Sequence, residues 1–160
     1  MKDKTDEREQ LKLSDAAEHL LDECRMVLPG IQALFGFQLI AVFSPGFKES
    51  LGTTEQCLHL VAMILVIIAT AMIMTPAAYH RQTGPQEVTK AFVNLSTRLL
   101  LWSMWPLMLG ICIDFYVIAQ VIVDRVASIS LAVALLMVFI LLWFVLPRSR
   151  MLKAIAGKTH

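Results

Sequence analysis

Four long apolar stretches and a lopsided distribution of charge predict an all-α protein, a bundle of four membrane-crossing helices with an amphipathic helix at its N-terminus. The stretches lie between Arg25 and Lys48, Glu55 and His80, Arg98 and Asp124, and Arg125 and Arg148. Each offers the ~20 residues that a helix needs to cross a hydrocarbon core roughly 30 Å thick. Hydrophobic residues make up 57% of the chain and charged residues 17%, against roughly 45–50% and 25% in soluble domains, and the mean hydropathy is +0.65. A large soluble domain is excluded. The net charge of +1 conceals strong segregation and implies no nucleic-acid partner.

The same segregation orients the chain. Five basic residues precede the first span (Lys2, Lys4, Arg8, Lys12, Arg25), three surround the central loop (Arg81, Lys90, Arg98) and four follow the last span (Arg148, Arg150, Lys153, Lys158). Only Lys48 and Arg125 fall on the other side. Lys and Arg are retained on the cytoplasmic side of short loops, so both termini are expected there. Residues 1–25 are too charged for a cleavable signal peptide, and the first span is expected to stay as an anchor. The cysteines Cys24, Cys57 and Cys112 are odd in number and widely spaced. They suggest packing, not a disulfide framework.

Residues 1–25 form a cytoplasmic segment in which Leu11, Leu13, Ala17, Leu20, Leu21 and Cys24 make an apolar side among charges, the pattern of an amphipathic helix. Its eight acids against five bases suit an anionic leaflet poorly, so its expected contact is the protein itself or a partner. The first ten residues, nearly all polar, are expected to lack structure. The transmembrane domain, 26–147, follows with spans at about 26–43, 54–80, 97–123 and 126–147. Pro29 sits at the start of the first span, where its missing N–H costs least, and Pro45 and Gly46 end it. Thr53 and Gln56 have the spacing of a capping box and predict a restart near Thr54. Gly84 and Pro85 mark a turn, after which a helix from about Gln86 to Val123 is expected, bent at Pro106. The short connection at Asp124 and Arg125 makes the last two helices antiparallel neighbours, and 148–160 is a basic cytoplasmic tail.

Gly30, Ala33 and Gly36, with Gly110 on the third span, are small residues of the kind that lets helices approach closely in a bilayer. Tyr79, His80, Arg81, Arg98 and Trp143 fall at span ends and serve as interface anchors. The run Pro29-Gly30-Ile31-Gln32-Ala33-Leu34-Phe35-Gly36-Phe37-Gln38, together with Thr75-Pro76-Ala77-Ala78-Tyr79-His80-Arg81, resembles a family of small bacterial membrane proteins, the domain of unknown function DUF6328. The resemblance implies a bacterial cytoplasmic (inner) membrane location and four spans. It brings no substrate and no catalytic residue.

Candidate functional residues come from depth. Measured from the outer ends of their spans, Gln38, His59 and Asp114 all lie ~7–14 Å down three different helices. Glu55 is one turn before His59, and Ser103, Gly110 and Asp114 share a face. An unpaired acid at such a depth costs at least ~2.5–3.5 kcal/mol, and intramembrane acids mark ion and proton paths. No P-loop, GxSxG, HExxH or nucleotide fingerprint is present, and no metal site, cofactor or catalytic set is expected. The function expected is a small proton- or ion-coupled transporter or permeation element. Four helices leave little room for a path, so it is expected to act as a homo-oligomer in the lipid bilayer. The alternative is a non-transporting scaffold or accessory subunit that binds a partner protein through its N-terminal helix.

The charge asymmetry makes the topology testable. In a cysteine-labelling map of intact cells, Lys48→Cys and Arg125→Cys should react with a membrane-impermeant reagent and His160→Cys should not; external labelling of His160→Cys without leakage rejects the orientation.

Overall fold

The computed structural model describes residues 3–83 and 89–148. Five α-helices follow in order: α1 (Asp3–Phe43), the short α2 (Pro45–Ser50), α3 (Thr53–Thr83), α4 (Lys90–Ile122) and α5 (Arg125–Ile140). A π-helical turn (Leu141–Val145) and a 3₁₀ turn (Leu146–Arg148) complete the last helix. No strand occurs among the described residues. Four helical stretches are long and apolar enough to cross a membrane: Gln10–Phe43, Thr53–Gln82, Lys90–Ile122 and Arg125–Arg148.

The N-terminal segment is not a separate helix. It runs unbroken into the first apolar stretch, giving 41 residues of continuous helix with Pro29 inside it. Extending an existing helix adds a hydrogen bond per residue without a new nucleation cost, which accounts for helix beginning at Asp3 where the sequence suggested none. Pro29 still withholds an N–H from the Arg25 carbonyl, so its cost falls in the helix interior and not at an end. At the other end the chain breaks at Ser44, and Pro45 sits at the first position of α2, where its fixed φ favours helix. The capping box is replaced by a different bond. Gln56 does reach back, but its Nε2 donates to the Leu51 carbonyl at 2.9 Å.

α4 starts at Lys90, capped by Thr89, whose Oγ1 accepts from the Phe92 N–H at 3.3 Å. The turn expected at Gly84 and Pro85 and the helix start expected at Gln86 lie outside the described residues, as does the tail from 149 on. Between α4 and α5 only Val123 and Asp124 intervene, and Asp124 Oδ2 accepts from the N–H groups of Val126 and Ala127 at 3.2 and 3.4 Å. Near the end, Pro147 has no N–H to give and its ring crowds the carbonyl four residues back. The helix answers by changing pitch: the Leu146 N–H donates to Leu141, five residues back.

Packing follows a seven-residue rhythm. On α1 the buried residues are Ala17, Cys24, Ile31 and Gln38, one per heptad. On α3 they are His59, Ala62, Val66, Ala69, Ile73 and Pro76, alternately three and four apart. α4 buries Ser96, Ser103, Gly110 and Val117, again seven apart, and a second set that includes Met108 and Cys112. A strict repeat of this kind keeps one narrow seam facing its partner. α4 is central: it packs on α3, α1 and α5, while α3 and α1 also touch each other and α5 packs principally on α4. Ser128 is the one buried residue of α5 itself.

The close approach predicted for small residues occurs at Gly110. A Cβ there would lie 3.1 Å from the Ala62 carbonyl oxygen and 3.1 Å from Val66 Cγ2. By contrast, a Cβ at Gly30 or Gly36 would meet nothing of this chain within 4 Å, and Ala33 is exposed. The α1 glycines therefore do not mediate packing within the protomer. Gly110→Ala should lower the midpoint of thermal unfolding in detergent through overpacking worth ~1–3 kcal/mol. Gly36→Ala should leave the midpoint unchanged or raise it, because alanine is the better helix former by ~1 kcal/mol; equal losses in both variants would show that the α3–α4 seam is no tighter than the open α1 face.

Candidate functional site

The seams of α1, α3 and α4 each carry a polar residue near the α2 end of the bundle, and the fold brings the three together. Gln38 continues the line of Ala17, Cys24 and Ile31 by one more heptad. His59 opens the α3 seam three residues before Ala62, and Asp114 lies one turn beyond Gly110. All three are buried, His59 and Gln38 to within 1% of full enclosure.

The imidazole is approached at both nitrogens. Nε2 lies 3.0 Å from the carbonyl oxygen of Gln38, and Nδ1 lies 2.6 Å from Oδ1 of Asp114. A carbonyl oxygen can only accept, so Nε2 carries a proton and donates it. The other nitrogen, Nδ1, faces the Asp114 carboxyl group. The ring N–H points away from the Nδ1–Oδ1 line, so the contact is short without being a well-aligned hydrogen bond. The Gln38 amide sits near enough to act on the carboxyl group, again without an aligned hydrogen bond.

The site has a roof that sequence reasoning missed. Phe47, on α2, stands edge-on to the His59 ring with centroids 5.1 Å apart and planes at 64°. Beside it a cavity of about 300 Å³ is bounded by Ala41 and Ser44, by Gly46, Phe47 and Ser50 of α2, and by Val117 and Val121 of α4, and it touches His59. His59 thus meets one side of a largely apolar chamber at the α2 end of the molecule.

Other residues marked by the sequence lie apart from this cluster. Ser103 is buried, but it donates to the Leu100 carbonyl at 2.7 Å and stands eleven residues from Asp114, ~16 Å along the helix. Glu55 turns toward the start of α3, where its Oε2 lies near Gly52. Pro106 is inside α4 and half-buried. At the far end Tyr79 stacks on Phe92 with centroids 5.5 Å apart, and His80 leans on the same ring at 6.0 Å. Arg81 and Arg98 are exposed, and Trp143 packs edge-on against Phe139. Among the described residues no group of three or more His, Cys, Asp or Glu side chains is placed to hold a metal ion. Gln120, whose buried Nε2 lacks a hydrogen-bond partner, and the buried Ser96 and Ser128 also escaped notice. Ser96 was legible in the repeat it shares with Ser103, seven residues on.

The family model for DUF6328, a family of unknown function, matches residues 6–147. No curated protein and no solved structure is significantly similar to the chain.

Breaking a buried pair by removing one partner costs about 3–5 kcal/mol, because the other is left uncompensated, whereas replacing both by apolar groups is often neutral. Asp114→Leu should therefore lower the unfolding free energy by that order. His59→Phe combined with Asp114→Leu should recover much of the loss. Additive destabilisation in this double-mutant cycle would show that the two side chains do not interact.

Proposed function

Because the chain belongs to DUF6328, a family whose activity is unknown, its role has to be sought in the site, and we propose that it is a multi-pass protein of the bacterial cytoplasmic membrane whose Asp114–His59 pair exchanges protons. In this proposal it is a small proton- or ion-coupled transporter or permeation element, acts as a homo-oligomer, and keeps both termini in the cytoplasm. The α2 end then faces outward, and the pair lies in the outer half of the bilayer.

One observation carries the proposal: a carboxyl group and an imidazole 2.6 Å apart, buried between helices. A group serving only as glue between helices needs hydrogen-bonding capacity and no ionisation. Ser, Thr, Asn or Gln provides that in a bilayer for ~0.6–2 kcal/mol, without the expense of an acid. The distribution of polarity supports the membrane setting. Gln38, His59, Ser96, Ser103, Asp114 and Ser128 are inside, while Leu60, Ile64, Ile68, Val126, Val133 and Met137 are exposed, the reverse of a protein dissolved in water. The adjoining chamber supports a connection from the outer face to His59. The central position of α4 puts Asp114 on the helix that touches three others.

Asp114→Asn keeps shape and hydrogen bonding but removes ionisation. Reconstituted into liposomes, the wild-type protein should drive a pH-dependent ion flux, and the Asn variant should assemble normally yet lose it. A carboxyl infrared band should titrate in the wild type and be missing from the variant. Absence of pH-coupled flux for every ion tested, together with a band that never titrates, would falsify the proton role and favour a scaffold in which the pair only holds helices together.

A further inference from the structure

A second cavity, of about 400 Å³, opens between α1 and α3 at the end of the molecule opposite α2. Its walls combine two chemistries. Arg25, His80 and Arg81 supply the basic part, Leu28, Met74, Ala77 and Ala78 lie toward the apolar stretches together with the buried Cys24, and Leu21 adds one apolar residue a turn before Arg25. No acidic residue lines it.

The division follows the helix axes. Arg25 and Arg81 mark the charged borders of the first two apolar stretches, and Leu28 and Met74 lie ~4 and ~10 Å further into those stretches. A ligand filling the groove would meet two guanidinium groups and an imidazole at the border and hydrocarbon beyond it. Free phosphate would use only the first part, and a neutral or zwitterionic lipid would gain nothing from the charge. We propose that this groove binds one anionic phospholipid, its phosphodiester between Arg25 and Arg81 and an acyl chain along Leu28 and Met74. Arginine is suited to the task, since its planar fork pairs with two phosphate oxygens at once. Basic pockets between helices on the cytoplasmic side take anionic headgroups by the same physics.

Competition from within the chain is weak. Arg25 Nη1 lies 3.1 Å from Asp22 Oδ1, but both side chains are more than half exposed, so this surface pair exchanges readily for a phosphate. Glu23 is the other nearby acid and is exposed; it does not line the cavity. The inference rests on the membrane-spanning reading and not on proton exchange at Asp114, so it stands or falls apart from the flux experiment.

Full-length protein would be purified in detergent, freed of lipid, and titrated with phosphatidylglycerol, phosphatidylcholine of the same chains, or inorganic phosphate, with unfolding temperature and native mass spectra as readouts. Phosphatidylglycerol should raise the unfolding temperature and leave one retained lipid per chain, while the other two should do neither. Arg25→Gln with Arg81→Gln should weaken phosphatidylglycerol binding about thirtyfold, the ratio expected from two arginines near a membrane surface. Arg25→Lys with Arg81→Lys should retain most of it. The wild-type titrations decide the matter alone if the Gln variant does not fold. Equal stabilisation by phosphatidylcholine, or an effect of inorganic phosphate as large as that of phosphatidylglycerol, overturns the assignment. Recovery of the protein from the soluble fraction without detergent would instead overturn the membrane reading on which it rests.

Discussion

One buried imidazole, which has to be satisfied at both nitrogens where water has little access, fixes the relative positions of three helices. The apolar parts of the seams repeat every seven residues. Ala62, Val66, Ala69 and Ile73 would pack almost as well after a slide of one heptad, ~10 Å along the axis. A polar contact has no such repeat. His59 finds the Gln38 carbonyl and the Asp114 carboxyl group at one register only, and any slide breaks the buried Nε2 hydrogen bond at a cost of ~1–3 kcal/mol. Polar residues in coiled seams choose register in this way. Gly110 reinforces the choice, because a Cβ there would crowd the Ala62 carbonyl at 3.1 Å.

Much of this was legible because helices obey a rigid period. The four apolar stretches could be counted, and Gln38, His59 and Asp114 placed at a common depth from residue number alone. Depth transfers well from sequence to structure, since every residue adds ~1.5 Å along the axis. The seven-residue spacing of Ala17, Cys24, Ile31 and Gln38 was equally present in the sequence, but it went unread there.

What the sequence withheld has physical causes too. Ser103 shares a helical face with Asp114, but a common face leaves the distance along the axis free, and three turns separate them. Gly30, Ala33 and Gly36 permit close approach without saying what approaches; in the chain itself the approach occurs at Gly110. The loop between the first two spans was expected only as a break, because Pro45 and Gly46 are punctuation in any local reading. Pro45 in fact starts a helix, and that short helix carries Phe47 over His59. An aromatic residue in a loop has no periodic neighbours to reveal its target, so its role appears only once the helices have been placed.

Under the proposed exchange, a single proton held between His59 and Asp114 would leave the pair neutral overall, and its burial would cost far less than that of two independent charges. Gain or loss of a proton would then change the charge of a contact of 2.6 Å. Gln38 holds that ring through a backbone carbonyl fixed in α1, so the restraint on that side is stiff. On the other side the restraint is Phe47, borne by six residues of helix between Ser44 and Leu51, both in extended conformation. The stiffness is therefore unequal, and under the proposed exchange the side free to yield is the chamber beneath α2 and not α1. That proposal would couple proton exchange at the pair to opening of the site toward the α2 end, through the same contacts that set the register of the bundle.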